Sequence, residues 1–167
     1  YRDYDSKIAV DFTTNHWEFP CVALSIYVAM VFLGPKFMAN REPLPLKPAF
    51  KVWNLILAVF SILGSIATVP EVWHFATTKG LKFTVCTNPS DNYYYDSAGG
   101  FWFFAFGMSK IPELVDTFFL VFQKKPVIFL HWYHHVTVCL YCWHTWGVGV
   151  GAGMYFTAMN FLVHSIM

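Results

Sequence analysis

The chain has 167 residues, of which 56% are hydrophobic and 20% aromatic, while only 13% carry a charged side chain. A soluble domain of this size usually has about 25% charged residues, so the composition suits lipid better than water. A formal net charge of +1 without a basic cluster gives no indication of a nucleic-acid partner. The chain starts at Tyr1 and stops at Met167 inside an apolar run, so we expect a fragment of a longer protein whose C-terminal spans are missing.

Five segments have the length and composition expected of membrane spans. A helix needs about 20 mostly apolar residues to cross a hydrocarbon core about 30 Å thick. All five are expected to be helical, because lipid offers no partner for an exposed strand edge. The sequence therefore predicts one all-α integral membrane domain over residues 1–167. The predicted spans are 17–34, 51–75, 101–122, 126–146 and 152–167.

Basic residues predict the orientation of these spans. The loop between spans one and two and the loop between spans three and four share a side and hold six basic residues, against four on the opposite side. Basic loops face the cytosol in most membrane proteins, so the N-terminus and the 147–153 turn are predicted to be lumenal. The six residues are Lys36, Arg41, Lys47, Lys51, Lys124 and Lys125.

The third predicted span contains five polar residues: Ser109, Lys110, Glu113, Asp116 and Thr117. Its three ionisable residues oppose insertion by about 9 kcal/mol in total, whereas its apolar residues favour insertion by roughly 4 to 7 kcal/mol. The polar groups must therefore face protein or a wet cavity. The spacing places Lys110, Glu113 and Thr117 on one helical face.

Pro112 lies in the middle of this polar stretch. It has no backbone N–H, so it is predicted to free the carbonyl of Met108 and to kink the helix. A purely structural ion pair between Lys110 and Glu113, which would only hold helices together, is the alternative interpretation of the charged residues.

The fourth and fifth predicted spans carry further polar residues. The run His-Trp-Tyr-His-His at 131–135 places three histidines on one helical face, and Asn160 and His164 share a face of the fifth span. At 1.5 Å per residue, Glu113, His134 and His164 each lie roughly 12 Å from the cytosolic side of the core. We therefore predict one buried polar site that opens toward the cytosol.

These three clusters resemble the motifs of the very-long-chain fatty acid elongases. The motifs are Lys-x-x-Glu-x-x-Asp-Thr, His-x-x-His-His and Asn-x-x-x-His-x-x-Met, in this order and on separate predicted spans. The resemblance covers most of the chain from about Trp53 to Met167. The residues that carry it are Lys110, Glu113, Asp116 and Thr117; His131, His134 and His135; and Asn160, His164 and Met167.

The resemblance implies a multi-pass enzyme of the endoplasmic reticulum membrane, with seven spans that enclose an acyl tunnel. Such enzymes condense acyl-CoA with malonyl-CoA to give 3-oxoacyl-CoA, CO2 and CoA, without a metal or another cofactor. A reductase and a dehydratase that complete the elongation cycle are the implied protein partners. The histidine box at 131–135, preceded by Pro126 rather than Gln, resembles members that act on saturated and monounsaturated chains more than polyunsaturated-specific members.

Site residues follow from the clusters and from the resemblance. We expect His134 or His164 to accept the acyl group, with Cys142 as an alternative that no motif marks. Lys124 and Lys125 are candidates for binding CoA phosphates, or they only mark the cytosolic side. The candidate catalytic residues are His131, His134, His135 and His164. The candidate substrate-binding residues are Lys110, Glu113, Asp116, Thr117, Asn160, Lys124 and Lys125.

Two other functions fit part of the pattern. A membrane di-iron desaturase or hydroxylase also has histidine boxes, but it needs about eight such ligands, whereas this chain has seven histidines in all. A transporter or receptor could use buried charges as a proton or ligand path. It would explain the common depth of the clusters but not the three motifs.

Overall fold

The computed structural model describes residues 4–88 and 98–166, and every regular element in these ranges is a helix. The all-α prediction is therefore confirmed for this part of the chain. A 3-10 turn at Pro112–Leu114 lies between the fifth and sixth helices. The helices are α1 Ser6–Asn15, α2 Glu18–Met38, α3 Lys47–Thr78, α4 Leu81–Cys86, α5 Ala98–Ser109, α6 Val115–Phe122, α7 Phe129–Val148 and α8 Gly153–Ile166.

Within the described ranges, α2 and α3 are the helices that are long and apolar enough to cross a membrane. Both extend beyond the predicted spans at 17–34 and 51–75. Gly34 does not end α2 as expected. It lets α6 approach, because a Cβ there would lie 2.6 Å from Cγ1 of Val121. The crossing of the other three predicted spans, and a bundle of seven, stay predictions.

The third predicted span is interrupted at Pro112, where the sequence predicts a kink, and whether it crosses the membrane stays a prediction. α5 ends at Ser109 and α6 begins at Val115, with the 3-10 turn between them. Pro112 cannot donate to the carbonyl of Met108, and that carbonyl instead accepts a hydrogen bond from the Ile111 N–H at 3.3 Å. The polar stretch of this span therefore folds as a turn between two short helices.

The fourth and fifth predicted spans correspond to α7 and α8. α7 begins three residues later than predicted, because Ile128 is still extended at ψ 155°. It ends at Gly149, whose φ of 71° is a left-handed conformation that glycine adopts without steric cost. α8 ends at Ile166, and Met167 lies outside the described residues.

The long helices pack so that α6, α7 and α8 surround a common space. α2 packs on α6 and α7, α5 packs on α3 and α7, and α8 lies along α3. The approach of α8 to α3 depends on Gly64, where a Cβ would lie only 2.5 Å from the Phe161 ring. Phe161 itself is buried against Phe60 and Phe106.

Two short helices that were not predicted, α1 and α4, lie at the end where α7 stops and α8 starts. The Trp143 indole N–H donates to the backbone carbonyl of Thr13 in α1 at 2.8 Å. The hydroxyls of Thr84 in α4 and Tyr155 in α8 are hydrogen-bonded at 2.5 Å. These contacts cover one end of the helix arrangement, which the predicted topology would place in the lumen.

Candidate functional site

One cavity of about 500 Å³ lies between the polar turn, α6, α7 and α8. Two carboxyl groups, four imidazoles and one amide line it beside apolar side chains. Glu113, His134 and His164, which the sequence places at one depth, thus border a single space. The lining residues are Glu113, Asp116, His131, His134, His135, Phe156, Met159, Asn160, Val163 and His164.

A second cavity of about 620 Å³ borders the first. Asp116, His131 and His164 line both, so these three residues form the boundary between the two spaces. The rest of the second wall is apolar except for Asn54. It comes from the first half of α3, together with Leu120 of α6: Phe50, Asn54, Leu55, Leu57, Ala58 and Leu120.

Lys110 lies behind the wall of the first cavity and bonds to two of the residues that line it. Its ammonium group donates to both carboxylate oxygens of Glu113, at 2.7 and 2.8 Å, and to Asn160 Oδ1 at 3.3 Å. It also lies 3.9 Å from the centre of the Phe106 ring. The Ser109 hydroxyl donates to Glu113 at 2.8 Å. Lys110 is only 4% exposed, so it holds Glu113 and Asn160 in place and lines neither cavity.

Asp116 and Thr117 are neighbours in α6 but bond to different helices. The Trp53 indole of α3 donates to Asp116 Oδ1 at 2.6 Å. The Thr117 hydroxyl is 2.9 Å from the Tyr27 hydroxyl of α2 and 2.9 Å from His131 Nε2. Successive residues of a helix point about 100° apart, which explains why one turn can tie α6 to both sides. Thr117 is fully buried and reaches the site through His131.

Three imidazoles follow one another along α7. The ring centres of His131 and His135 are 4.6 Å apart, and those of His134 and His135 are 5.9 Å apart. His131 and His135 are half-buried, whereas His134 is exposed at the open edge of the cavity. His164 faces the same space from α8. Four nitrogen heterocycles therefore surround one volume in which a carbonyl group could react.

The similarity of this chain to known proteins agrees with this geometry. The profile described as the GNS1/SUR4 (ELO) family matches residues 12–167. The chain belongs to this family. It is 48% identical to a protein named very long chain fatty acid elongase 4 of Trypanosoma cruzi, over 99% of this chain and 58% of the relative. It is 42% identical to fatty acid elongase 3 of the same organism, over 92% of this chain and 58% of the relative.

A vertebrate relative, very long chain fatty acid elongase 6 of Gallus gallus, is 37% identical over 99% of this chain and 62% of its own length. The ELO-family chain thus spans about three fifths of the length of these curated relatives. No solved structure matches it. The resemblance to very-long-chain fatty acid elongases is confirmed, and the comparisons give no support to the desaturase alternative.

Three candidates of the ELO-family chain lie apart from the histidines. Lys124 and Lys125 line a different cavity of about 530 Å³ near the ends of α2 and α6. The Lys124 ammonium group donates to the carbonyl of Ala39 at 3.0 Å. Cys142 is buried and lines a small cavity of about 30 Å³ between α5, α7 and α8, which His134 does not border. Their proposed roles stay predictions.

Sequence reasoning missed three residues that hold the site of this ELO-family chain: Tyr27, Trp53 and Ser109. Tyr27 and Trp53 are polar-tipped side chains on otherwise apolar helices, and such groups need a partner when they are buried. The sequence therefore indicates that Tyr27 and Trp53 need hydrogen-bond partners, but it does not show which residues those partners are. Ser109 was noted as polar, but its bond to Glu113 depends on the turn that replaces the predicted helix.

Among residues 4–88 and 98–166, no group of three or more His, Cys, Asp and Glu side chains is placed to hold a metal ion. The expectation that the reaction needs neither a metal nor another cofactor stays a prediction.

Proposed function

We propose that this chain carries the active site of a membrane condensing enzyme, a 3-oxoacyl-CoA synthase. The enzyme would join acyl-CoA and malonyl-CoA to give 3-oxoacyl-CoA, CO2 and CoA. One observation carries the proposal: four imidazoles, two carboxyl groups and an amide line one cavity that borders an apolar cavity. This combination suits a substrate with a reactive thioester and a long alkyl chain. The names of the relatives, fatty acid elongases, support the same activity.

In the first proposed step, a neutral imidazole of His134 or His164 attacks the thioester carbonyl of acyl-CoA. The new C–N bond forms as the C–S bond breaks, and CoA leaves as the thiol with the imidazole proton. Asn160 and His131 line the same wall and would donate hydrogen bonds to the developing oxyanion. The product of this step is an acyl-imidazole.

In the second step, malonyl-CoA loses CO2, and the electrons of the broken C–C bond form an enolate. The enolate carbon attacks the acyl-imidazole, so a new C–C bond forms as the C–N bond breaks, and the leaving imidazolate takes up a proton from water to restore the neutral imidazole. Decarboxylation supplies the carbanion, so no strong external base is required. Glu113 and Asp116, each held by a partner behind the wall, would place negative charge beside the imidazoles in the same cavity.

The wider setting is also part of the proposal. The full-length protein would be a multi-pass protein of the endoplasmic reticulum membrane, with the cavity open to the cytosol. Lys124 and Lys125, both exposed, would attract CoA phosphates, and a reductase and a dehydratase would process the 3-oxo product. Saturated and monounsaturated acyl-CoA are the expected substrates, which a series of acyl-CoA chain lengths and unsaturations would test.

The central test uses purified full-length protein, malonyl-CoA and acyl-CoA, with release of CO2 as the readout. His134→Ala should lower condensation by more than about 100-fold without changing the melting temperature. His144→Ala is the matched control, because His144 is an exposed histidine of the same helix outside the cavity. Wild-type protein that releases no CO2 in response to acyl-CoA would refute the proposed activity.

The identity of the nucleophile needs a separate experiment. Protein incubated with acyl-CoA alone should carry an acyl group on His134 or His164, which mass spectrometry of peptides would locate. Normal condensation by His134→Ala and by His164→Ala would contradict the acyl-imidazole route. An acylated Cys142 would assign the acyl group to a thiol instead. Stoichiometric iron in active protein would favour the desaturase alternative.

A further inference from the structure

A buried hydrogen-bonded chain connects α2 to the histidine cluster. It runs from the Tyr27 hydroxyl to the Thr117 hydroxyl and on to His131 Nε2, with both oxygen-centred distances at 2.9 Å. Tyr27 is 2% exposed and Thr117 is fully buried, so bulk water does not compete for these bonds. His131 is the member of the chain that lines the cavity.

The number of available protons decides which group donates and which accepts in each hydrogen bond of this chain. Each hydroxyl has one proton, and Thr117 is the one hydrogen-bond partner of the Tyr27 hydroxyl within the described residues. If His131 Nε2 carried a proton and donated it to Thr117, the two hydrogen bonds of the chain would have three protons. Either the Tyr27 or the Thr117 proton would then be buried without an acceptor, which is unfavourable. If Tyr27 donates to Thr117 and Thr117 donates to Nε2, both protons are satisfied.

We infer that Tyr27 is a positioning residue that acts through Thr117 and fixes His131 as the neutral tautomer with its proton on Nδ1. Nε2 then serves as an acceptor inside the protein and is not free to attack a thioester. No acceptor within residues 4–88 and 98–166 bonds to Nδ1, so its proton is available to an oxygen of a ligand in the cavity. This role rests on the proposed condensing activity.

This inference gives the histidines of the cavity different roles. His131 becomes a hydrogen-bond donor to the thioester oxygen, because its other nitrogen is occupied. His134 and His164, for which no ring hydrogen bond to the described part of the protein occurs, keep a lone pair for the acyl group. The sequence motif treats the histidines of the box alike, whereas the hydrogen-bonded chain distinguishes them.

The kinetic test removes single hydroxyl groups from purified full-length protein. Tyr27→Phe and Thr117→Val should each lower kcat by about tenfold, the rate equivalent of one hydrogen bond, with KM nearly unchanged. Each variant also loses a buried hydrogen bond, so its melting temperature should fall by a few degrees. Thr117→Ser should retain activity. The double variant Tyr27→Phe/Thr117→Val should be no slower than Thr117→Val, since both act through one chain. Tyr133→Phe, an exposed tyrosine of α7, is the matched control. A normal kcat for Tyr27→Phe or additive losses in the double variant would overturn the inference.

The second test does not depend on activity. Solid-state NMR of the protein labelled with ¹⁵N-histidine, in bilayers, reports whether each ring nitrogen is protonated, and His131→Asn identifies the resonances of His131. Wild-type protein should show an unprotonated Nε2 and a protonated Nδ1, and Tyr27→Phe should mix the two tautomers. A protonated Nε2 in the wild type would overturn the inference. Failure of the condensing activity itself would appear as absence of CO2 release by wild-type protein, whatever the tautomer.

Discussion

Replacing Lys110 by Met separates a structural role of this lysine from a role in binding substrate. The substitution removes three hydrogen bonds. Among the described residues, it leaves the Glu113 carboxylate, whose side chain is 13% exposed, with Ser109 as its hydrogen-bond partner. Breaking one half of a buried ion pair costs about 3–5 kcal/mol. For a protein of this size each kcal/mol lowers the melting temperature by about 2–4 °C, so we expect a decrease of about 6–20 °C.

The assay is thermal unfolding of the purified protein in detergent, followed by circular dichroism. Lys51→Met is the matched control, since Lys51 is exposed on α3 and its loss should change stability by less than about 0.5 kcal/mol. The double variant Lys110→Met/Glu113→Gln should recover most of the stability, because it leaves no unpaired charge. If Lys110→Met melts together with Lys51→Met while KM rises, Lys110 binds substrate and the structural explanation is wrong.

Three further substitutions test the packing of the helices. Gly64→Ala should destabilise the protein by about 1–3 kcal/mol, because its Cβ would lie 2.5 Å from the buried Phe161 ring; the added change Phe161→Leu should relieve part of this loss. Trp143→Phe should cost about 1 kcal/mol and speed hydrogen exchange in α1, since the bond to the Thr13 carbonyl is lost; unchanged exchange would argue against this anchor. Gly149→Ala should cost about 1–2 kcal/mol because of the left-handed φ of 71°, and an unaltered melting temperature would contradict it.

The convergence of the polar clusters could be predicted because lipid constrains the chain so strongly. Ionisable residues within apolar helices must meet one another or a wet cavity, and a fixed rise per residue gives their depth. Glu113, His134 and His164 were placed at one level by this argument, and they line one cavity. The histidine box is equally readable, because the positions 131, 134 and 135 share a face in any regular α-helix.

The partners behind the cavity wall could not be predicted, because they depend on tertiary contacts. Trp53 reaches Asp116 across 63 residues of chain, and Tyr27 reaches Thr117 across 90. Periodicity reports which face of a helix is buried but not which helix covers it. The assignment of Lys110 to substrate binding shares this difficulty, since a buried lysine and a lysine at a cavity wall look the same in sequence.

The helix boundaries failed at positions where a local rule competes with packing. Pro112 was expected to kink the helix, and it begins a 3-10 turn that separates α5 from α6. The first predicted span stops at residue 34, yet α2 continues to Met38, and the missing side chain of Gly34 admits Val121. α1 and α4 have 10 and 6 residues; α1 packs on α7, whereas α4 contacts α3 and bonds to Tyr155 of α8, so their own sequences indicated them weakly.

The length of α3 links this protein to the thickness of its membrane. Its 32 residues extend about 48 Å, and the uncharged stretch between Lys51 and Glu71 spans about 30 Å, close to the hydrocarbon core of a bilayer. Because Trp53 ties α3 to Asp116, the position of α3 along the membrane normal also sets the depth of the cavity within the membrane. In a bilayer with a thicker core, either the lipids must thin around α3 or a charge must enter them. An enzyme with the proposed elongation activity would therefore be sensitive to the mismatch that its own products create.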